Sequence, residues 1–262
     1  MLAWSQKGLL SYVKIALSIP HDLSRGYTKM RSSDYCVYCG VELNRIENHD
    51  NCRSVEHMIP QVSVSIKRTK GEGDFHACKK CNSTKGAIDD VLGVMCRMLG
   101  DNKEGSIDAI YKFKEYYDKR DYRFVKAMRS VRHSSQGPCI DMPLSGKQIY
   151  QYGVWLAKGA YFINTGEILA NRYLICVDLV RSVEVRAIKE FYKRQNGSEA
   201  FNDLAKNINI PNINGESFMI MKAGKMEMFI CLNRVIMFHL TLLEKNRVNE
   251  TICNKAKRAL YR

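Results

Sequence analysis

Apolar residues never run uninterrupted for the roughly eighteen positions a membrane-crossing helix requires, which excludes a spanning segment and predicts a soluble protein. The two most apolar regions are both broken. Lys14 interrupts residues 8–20, and Lys222, Lys225, Glu227 and Arg234 interrupt residues 217–243. No small-residue cleavage site follows the first of these, which argues against a secretory leader, so residues 3–18 read as an amphipathic helix. Internal repeats and low-complexity tracts are also missing. Acidic residues are scarce: 27 Asp and Glu face 41 Lys and Arg, leaving a formal charge of +14 and a pI near 9.3. Such an excess points to an acidic polymer as partner, nucleic acid ahead of a membrane surface.

Cysteine, by contrast, is plentiful. A secreted disulfide framework would explain ten of them, but four stand in C-x-x-C pairs and the rest are scattered singly through apolar stretches. A reducing, cytoplasmic setting fits that distribution better. The pairs are Cys36-Val-Tyr-Cys39 and Cys78-Lys-Lys-Cys81, with 38 residues between them. Thiolates in this pattern suit a structural zinc ion, so Cys36, Cys39, Cys78 and Cys81 are the expected ligands of Zn2+. Gly40 supplies the tight turn the first knuckle needs.

Between the pairs lies Glu56-His57-Met58-Ile59-Pro60. Residues 54–59 read as a strand that Pro60 ends, because proline cannot continue a ladder in mid-sheet. Residues 61–74 read as a loop. From Cys81 onward, Ile88, Val91, Leu92, Met95 and Leu99 fall at helical spacing, which puts Asn82 at or near a helix start. Residues 106–132 read as a second, basic helix; from Tyr111 to His133 eight Lys or Arg stand against three acids, interleaved with aromatic rings. That mixture suits phosphate contact and stacking, although part of the aromatic set belongs to the helix's buried face.

Residues 133–146, rich in Ser, Gly and Pro, mark a domain boundary. Beyond them a helix over 147–160 leads to a strand at 173–179, a helix around 182–195, and three short strands at 218–221, 228–232 and 235–240. Tight turns at Ala223-Gly224 and Asn233-Arg234 join those strands. The last residues form a short basic helix or tail. The predicted class is α+β, with residues 1–132 as one domain, 133–146 as a linker and 147–262 as a C-terminal α+β domain with a small antiparallel sheet.

Together, the C-x-x-C pairs, the acid-His-x-x-Pro segment and the Cys-x-x-Cys-Asn-x-x-Lys-Gly run resemble the HNH endonucleases with a zinc-stabilised ββα-metal core. The likeness covers roughly Tyr35 to Ala87, and its specificity lies in three ordered motifs occurring together. It implies phosphodiester hydrolysis. His57 matches the general base that takes a proton from the attacking water. Glu56 and Asn82 match the positions that hold one Mg2+ or Mn2+ against the scissile phosphate. Lys85 matches a basic residue of the closing helix, where it would contact nucleic acid. The chain departs from the family twice: Glu56 stands where aspartate is frequent, and Gly73 stands where an asparagine commonly orients the histidine. Asp74, His76 or another residue of the 61–74 loop could take that orienting role. A weaker likeness, Val154 to Phe162 with Thr165-Gly166, resembles a segment behind the nuclease module of some HNH proteins, where a helix runs into a Gly-Tyr-Phe turn. An ordinary amphipathic helix ending in a turn explains it equally well.

The leading expectation is a metal-dependent endonuclease acting on double-stranded DNA, in restriction or anti-phage defence by analogy, with a protein partner reached through the C-terminal domain. The alternatives are a zinc-stabilised nucleic-acid-binding protein without activity, and a nuclease subunit of a larger complex.

Overall fold

The computed structural model describes residues 33–63, 74–100, 103–134, 137–181, 218–221, 227–233 and 235–245. The helices expected at 3–18 and 182–195, most of the 61–74 loop including Gly73, the Ala223-Gly224 turn and the basic tail lie outside these residues.

Chain order in the first half is strand, strand, helix. Strand β1 (Arg53–His57) pairs antiparallel with β2 (Asp74–Cys78) in a register that sets His57 opposite Asp74 and Glu56 opposite Phe75. Because side chains alternate across a strand, His57 and Asp74 share one face while Glu56 and Phe75 share the other. Helix α1 (Lys79–Leu99) follows β2 without a break, and Cys78 caps it by accepting the Cys81 N–H at its sulfur. Its buried stripe includes Ile88, Val91, Leu92 and Met95, as the spacing predicts, and Gly100 closes it. The first knuckle turns as expected too: Gly40 adopts φ 76°, and its N–H donates to Cys36 O at 2.8 Å.

The basic segment forms two helices instead of one. Helix α2 (Lys103–Asp118) stops before Arg120, which takes φ 57°, and Asp121 then caps α3 (Tyr122–Arg129) by accepting the Arg123 N–H at 3.0 Å. Aspartate's preference for an N-cap over a helix interior explains the break. Phe113 and Phe124 are buried in a small core with Val91, Val94, Met95 and Ala127, whereas Tyr111, Tyr117 and Tyr122 are exposed.

Strands β3 (Arg132–Ser134) and β4 (Gly137–Cys139) form a short hairpin within the Ser/Gly/Pro-rich stretch. Helix α4 (Gly146–Thr165) opens on a capping box in which Ser145 and Gln148 satisfy each other's backbone N–H. It is longer than the 147–160 span predicted. Gly159, Tyr161 and Phe162 stay helical, and the turn comes at Gly166, with φ 78°. Strands β5 (Tyr173–Arg181), β6 (Phe218–Met221), β7 (Glu227–Leu232) and β8 (Ile236–Glu244) make one antiparallel sheet in the order β5-β8-β7-β6. The architecture is therefore mixed helix and strand with small antiparallel sheets.

One hydrophobic cluster joins the knuckle residues Cys36, Val37 and Tyr38, the hairpin's Phe75, helix α4 and the sheet's Ile230, Phe238 and Leu240. It crosses the 133–146 stretch without interruption. Helix α4 makes this continuity possible because Gly159 lets it approach the hairpin: a Cβ there would lie 2.9 Å from Phe75 Cζ. Gly153 does the same toward the Val177 side chain of the sheet. No described helix is long and apolar enough to cross a membrane.

Candidate metal centre and histidine site

Knuckle, hairpin end and helix start converge on four sulfur atoms. The Sγ atoms of Cys36, Cys39, Cys78 and Cys81 all lie within 4.8 Å of one another, and Cys39 and Cys78 are 3.7 Å apart. Two thiolates bound ~2.3 Å from a tetrahedral ion stand ~3.8 Å apart, so the spacing suits zinc. Their protonation behaviour fits as well. A hydrogen bond with Cys81 drops Cys36 to about 4, whereas burial and the nearby Cys36 charge push Cys78 up to about 11. Cys81 rises further still, chiefly through its hydrogen bond with Cys36. One thiolate, Cys36, forms readily while Cys78 and Cys81 resist, a conflict that a divalent cation would relieve. The N-terminus of α1 adds its dipole beside the sulfurs. The four cysteines thus form a cluster that can hold a structural metal such as zinc.

Comparison with known proteins finds no matching family model, curated protein or solved structure.

At the far end of the hairpin, His57 Nδ1 lies 2.9 Å from Asp74 Oδ1. An ionised carboxylate only accepts, so Nδ1 donates and Nε2 carries the free lone pair. Asp74 is buried at 5 % exposure while the His57 side chain is 51 % exposed, an oriented imidazole with an open outer nitrogen. Among the described residues, Asp74 is the orienting candidate that hydrogen-bonds His57. His76 lies on the same face two residues along, buried, with its pKa lowered by desolvation and by Arg53.

Glu56 goes elsewhere. It is buried at 1 % exposure, and its Oε1 lies 2.8 Å from Lys85 Nζ, itself fully buried. Lys85 also donates to Asp89 Oδ2 at 2.8 Å and to the backbone carbonyl of His57 at 3.3 Å. The expected roles of Glu56 as cation ligand and Lys85 as nucleic-acid contact do not match this placement. Strand alternation is the reason: with His57 turned outward, its neighbour must turn inward, toward α1. Asn82, in the first turn of α1, donates its amide to Ser54 Oγ and to the Val55 carbonyl at 2.9 Å, pinning the helix to β1. No hydrogen bond joins His57 to Glu56 or Asn82 among the described residues. Nor does a second group of three or more His, Cys, Asp or Glu ligands gather among them. Glu56 and Asn82, the donors expected for Mg2+ or Mn2+, are thus engaged with Lys85 and with β1.

Two further residues belong to this region: Tyr152, which lies in no motif, and Lys158, within the Val154–Phe162 segment. Tyr152 of α4 donates to Asp89 Oδ1 at 2.7 Å, and Lys158 donates to the Tyr38 carbonyl within the first knuckle. The Lys85–Asp89 pair has i,i+4 spacing and could have been read from the sequence. Tyr152, 63 residues from Asp89, gave no local sign.

Proposed function

We propose that the chain is an endonuclease of the HNH type that hydrolyses phosphodiester bonds of DNA. The observation that carries this reading is the buried Asp74 carboxylate 2.9 Å from a half-exposed His57, on a hairpin whose other end enters a four-sulfur cluster. Asp74 fixes the tautomer, and His57 Nε2 takes a proton from water as the water oxygen attacks phosphorus. The bond from phosphorus to the 3′ oxygen breaks, and that oxygen recovers a proton from solvent. Metal-bound cysteines would supply no chemistry here; Cys36, Cys39, Cys78 and Cys81 would hold the hairpin and α1 rigid so that the imidazole keeps its aim. The net charge of +14 favours a polyanionic substrate. Mg2+ or Mn2+ belongs to the proposal through the resemblance, and defence against foreign DNA is its analogy-based setting.

Supercoiled plasmid, incubated with the zinc-loaded protein and Mg2+ or Mn2+, tests it. Open circles from the native chain and none from His57→Ala support the reading. The placement of Glu56 favours a second one, a zinc-stabilised nucleic-acid-binding protein. In that case the plasmid shifts in mobility and no open circles appear with either chain.

A further inference from the structure

We propose that Lys85 is a positioning residue for His57, and that Tyr152 of α4 sets Lys85 through Asp89. The inference rests on the reading of His57 as general base. An ammonium group has three donors, and Lys85 has three kinds of acceptor within reach: the Asp89 carboxylate, Glu56 Oε1 and the carbonyl of His57. The third is the one that bears on chemistry. His57 is the last residue of β1, and His57–Asp74 is the last rung of the hairpin. His57 is therefore held at two points, its ring at Nδ1 by Asp74 and its backbone carbonyl by Lys85.

The network is closed off from solvent. Glu56, Lys85 and Tyr152 are buried to within 1 % or less of full burial, and Asp89 is 9 % exposed. Burial alone would pull the Lys85 pKa down, but Asp89 and Glu56 together carry it above its ordinary value, so the ammonium stays charged and keeps all three donors. Water does not compete for these groups, and each hydrogen bond in such a chain strengthens its neighbours. Asp89 sits one helical turn beyond Lys85, and its Oδ1 accepts from both Lys85 and the Tyr152 hydroxyl, so α4 reaches the histidine strand through two side chains. Tyr152 itself is fixed, packed against Phe238 of the sheet at a ring separation of 5.6 Å. The segment that resembles a nuclease is thus not self-sufficient: the aim of its histidine depends on a helix more than sixty residues downstream.

The test is nitrogen NMR of the His57 imidazole in the full, zinc-loaded chain, comparing native protein with Tyr152→Phe, which removes only a hydroxyl. Exchange of the His57 Nδ1 proton with water should quicken on the order of tenfold, as expected when one buried hydrogen bond is withdrawn. His239 resonances and zinc content should not change, and plasmid nicking should fall in kcat with KM unaltered. Unchanged exchange at His57 overturns the proposal whatever happens to nicking. If exchange quickens but the native chain does not nick, the positioning stands and the general-base assignment falls. Should Tyr152→Phe fail to fold, the same measurement on Asp89→Asn decides.

Discussion

The two faces of β1 begin one residue apart and do opposite work. On one face His57 leaves half its side chain in solvent and takes a single carboxylate partner. On the other, Glu56 is sealed inside with Lys85, and that lysine with Asp89. Two carboxyls share one ammonium there, and burial raises the pKa of both beyond what Lys85 can reverse. The outward face is suited to act on something, whereas the inward face is suited to keep the strand in place. Perturbations on the inner side should therefore cost mainly stability, and those on the outer side mainly activity.

The largest effect should come from the frame common to both faces. Replacing Cys81 by serine, or removing metal with a strong chelator, should release the knuckle from α1. Structural zinc contributes about 10–16 kcal/mol in small domains that depend on it, so loss of one metal equivalent should accompany a lowered unfolding midpoint. Metal analysis with thermal unfolding checks this; full retention of structure without metal would argue against a shared ion. Next in size is Lys85→Met, which strands Glu56 and Asp89 without a counter-charge. Breaking a buried pair in this way costs roughly 3–5 kcal/mol, measurable by denaturant unfolding. Methionine fits the volume, so the loss would come from charge and not from shape.

A smaller effect separates the faces by pH. Burial raises the Asp89 carboxyl above its ordinary 3.8. The folded chain then binds more protons than the unfolded one between 3.8 and the raised value, so this group's contribution falls as pH climbs through that window. Asp89→Asn should flatten that fall, and unfolding curves at several pH values would show an unaltered slope if the burial were wrong.

How far this was legible depends on distance along the chain. The knuckles, Gly40, the strand before Pro60 and the start of α1 were readable because each rests on a few neighbouring residues. So were the strands of the four-stranded sheet, whose apolar runs are short and bounded. The break at Arg120 and Asp121 was missed because the apolar spacing continues across it while one capping side chain overrides it. Glu56 was misplaced for a different reason. Resemblance put it beside His57 at a cation, while the period of a strand sends adjacent side chains to opposite faces. The link from Tyr152 to Asp89 had no sequence signature at all, since a hydroxyl and a carboxylate brought together by packing leave no spacing to read.

The most direct measurement pairs plasmid nicking with unfolding for His57→Ala in the zinc-loaded chain. A catalytic histidine on an outward face predicts that open-circle product disappears while the chain stays folded, with a stability loss of no more than about 1–3 kcal/mol from the hydrogen bond that buried Asp74 gives up. Nicking that persists at the native rate without the imidazole would contradict it.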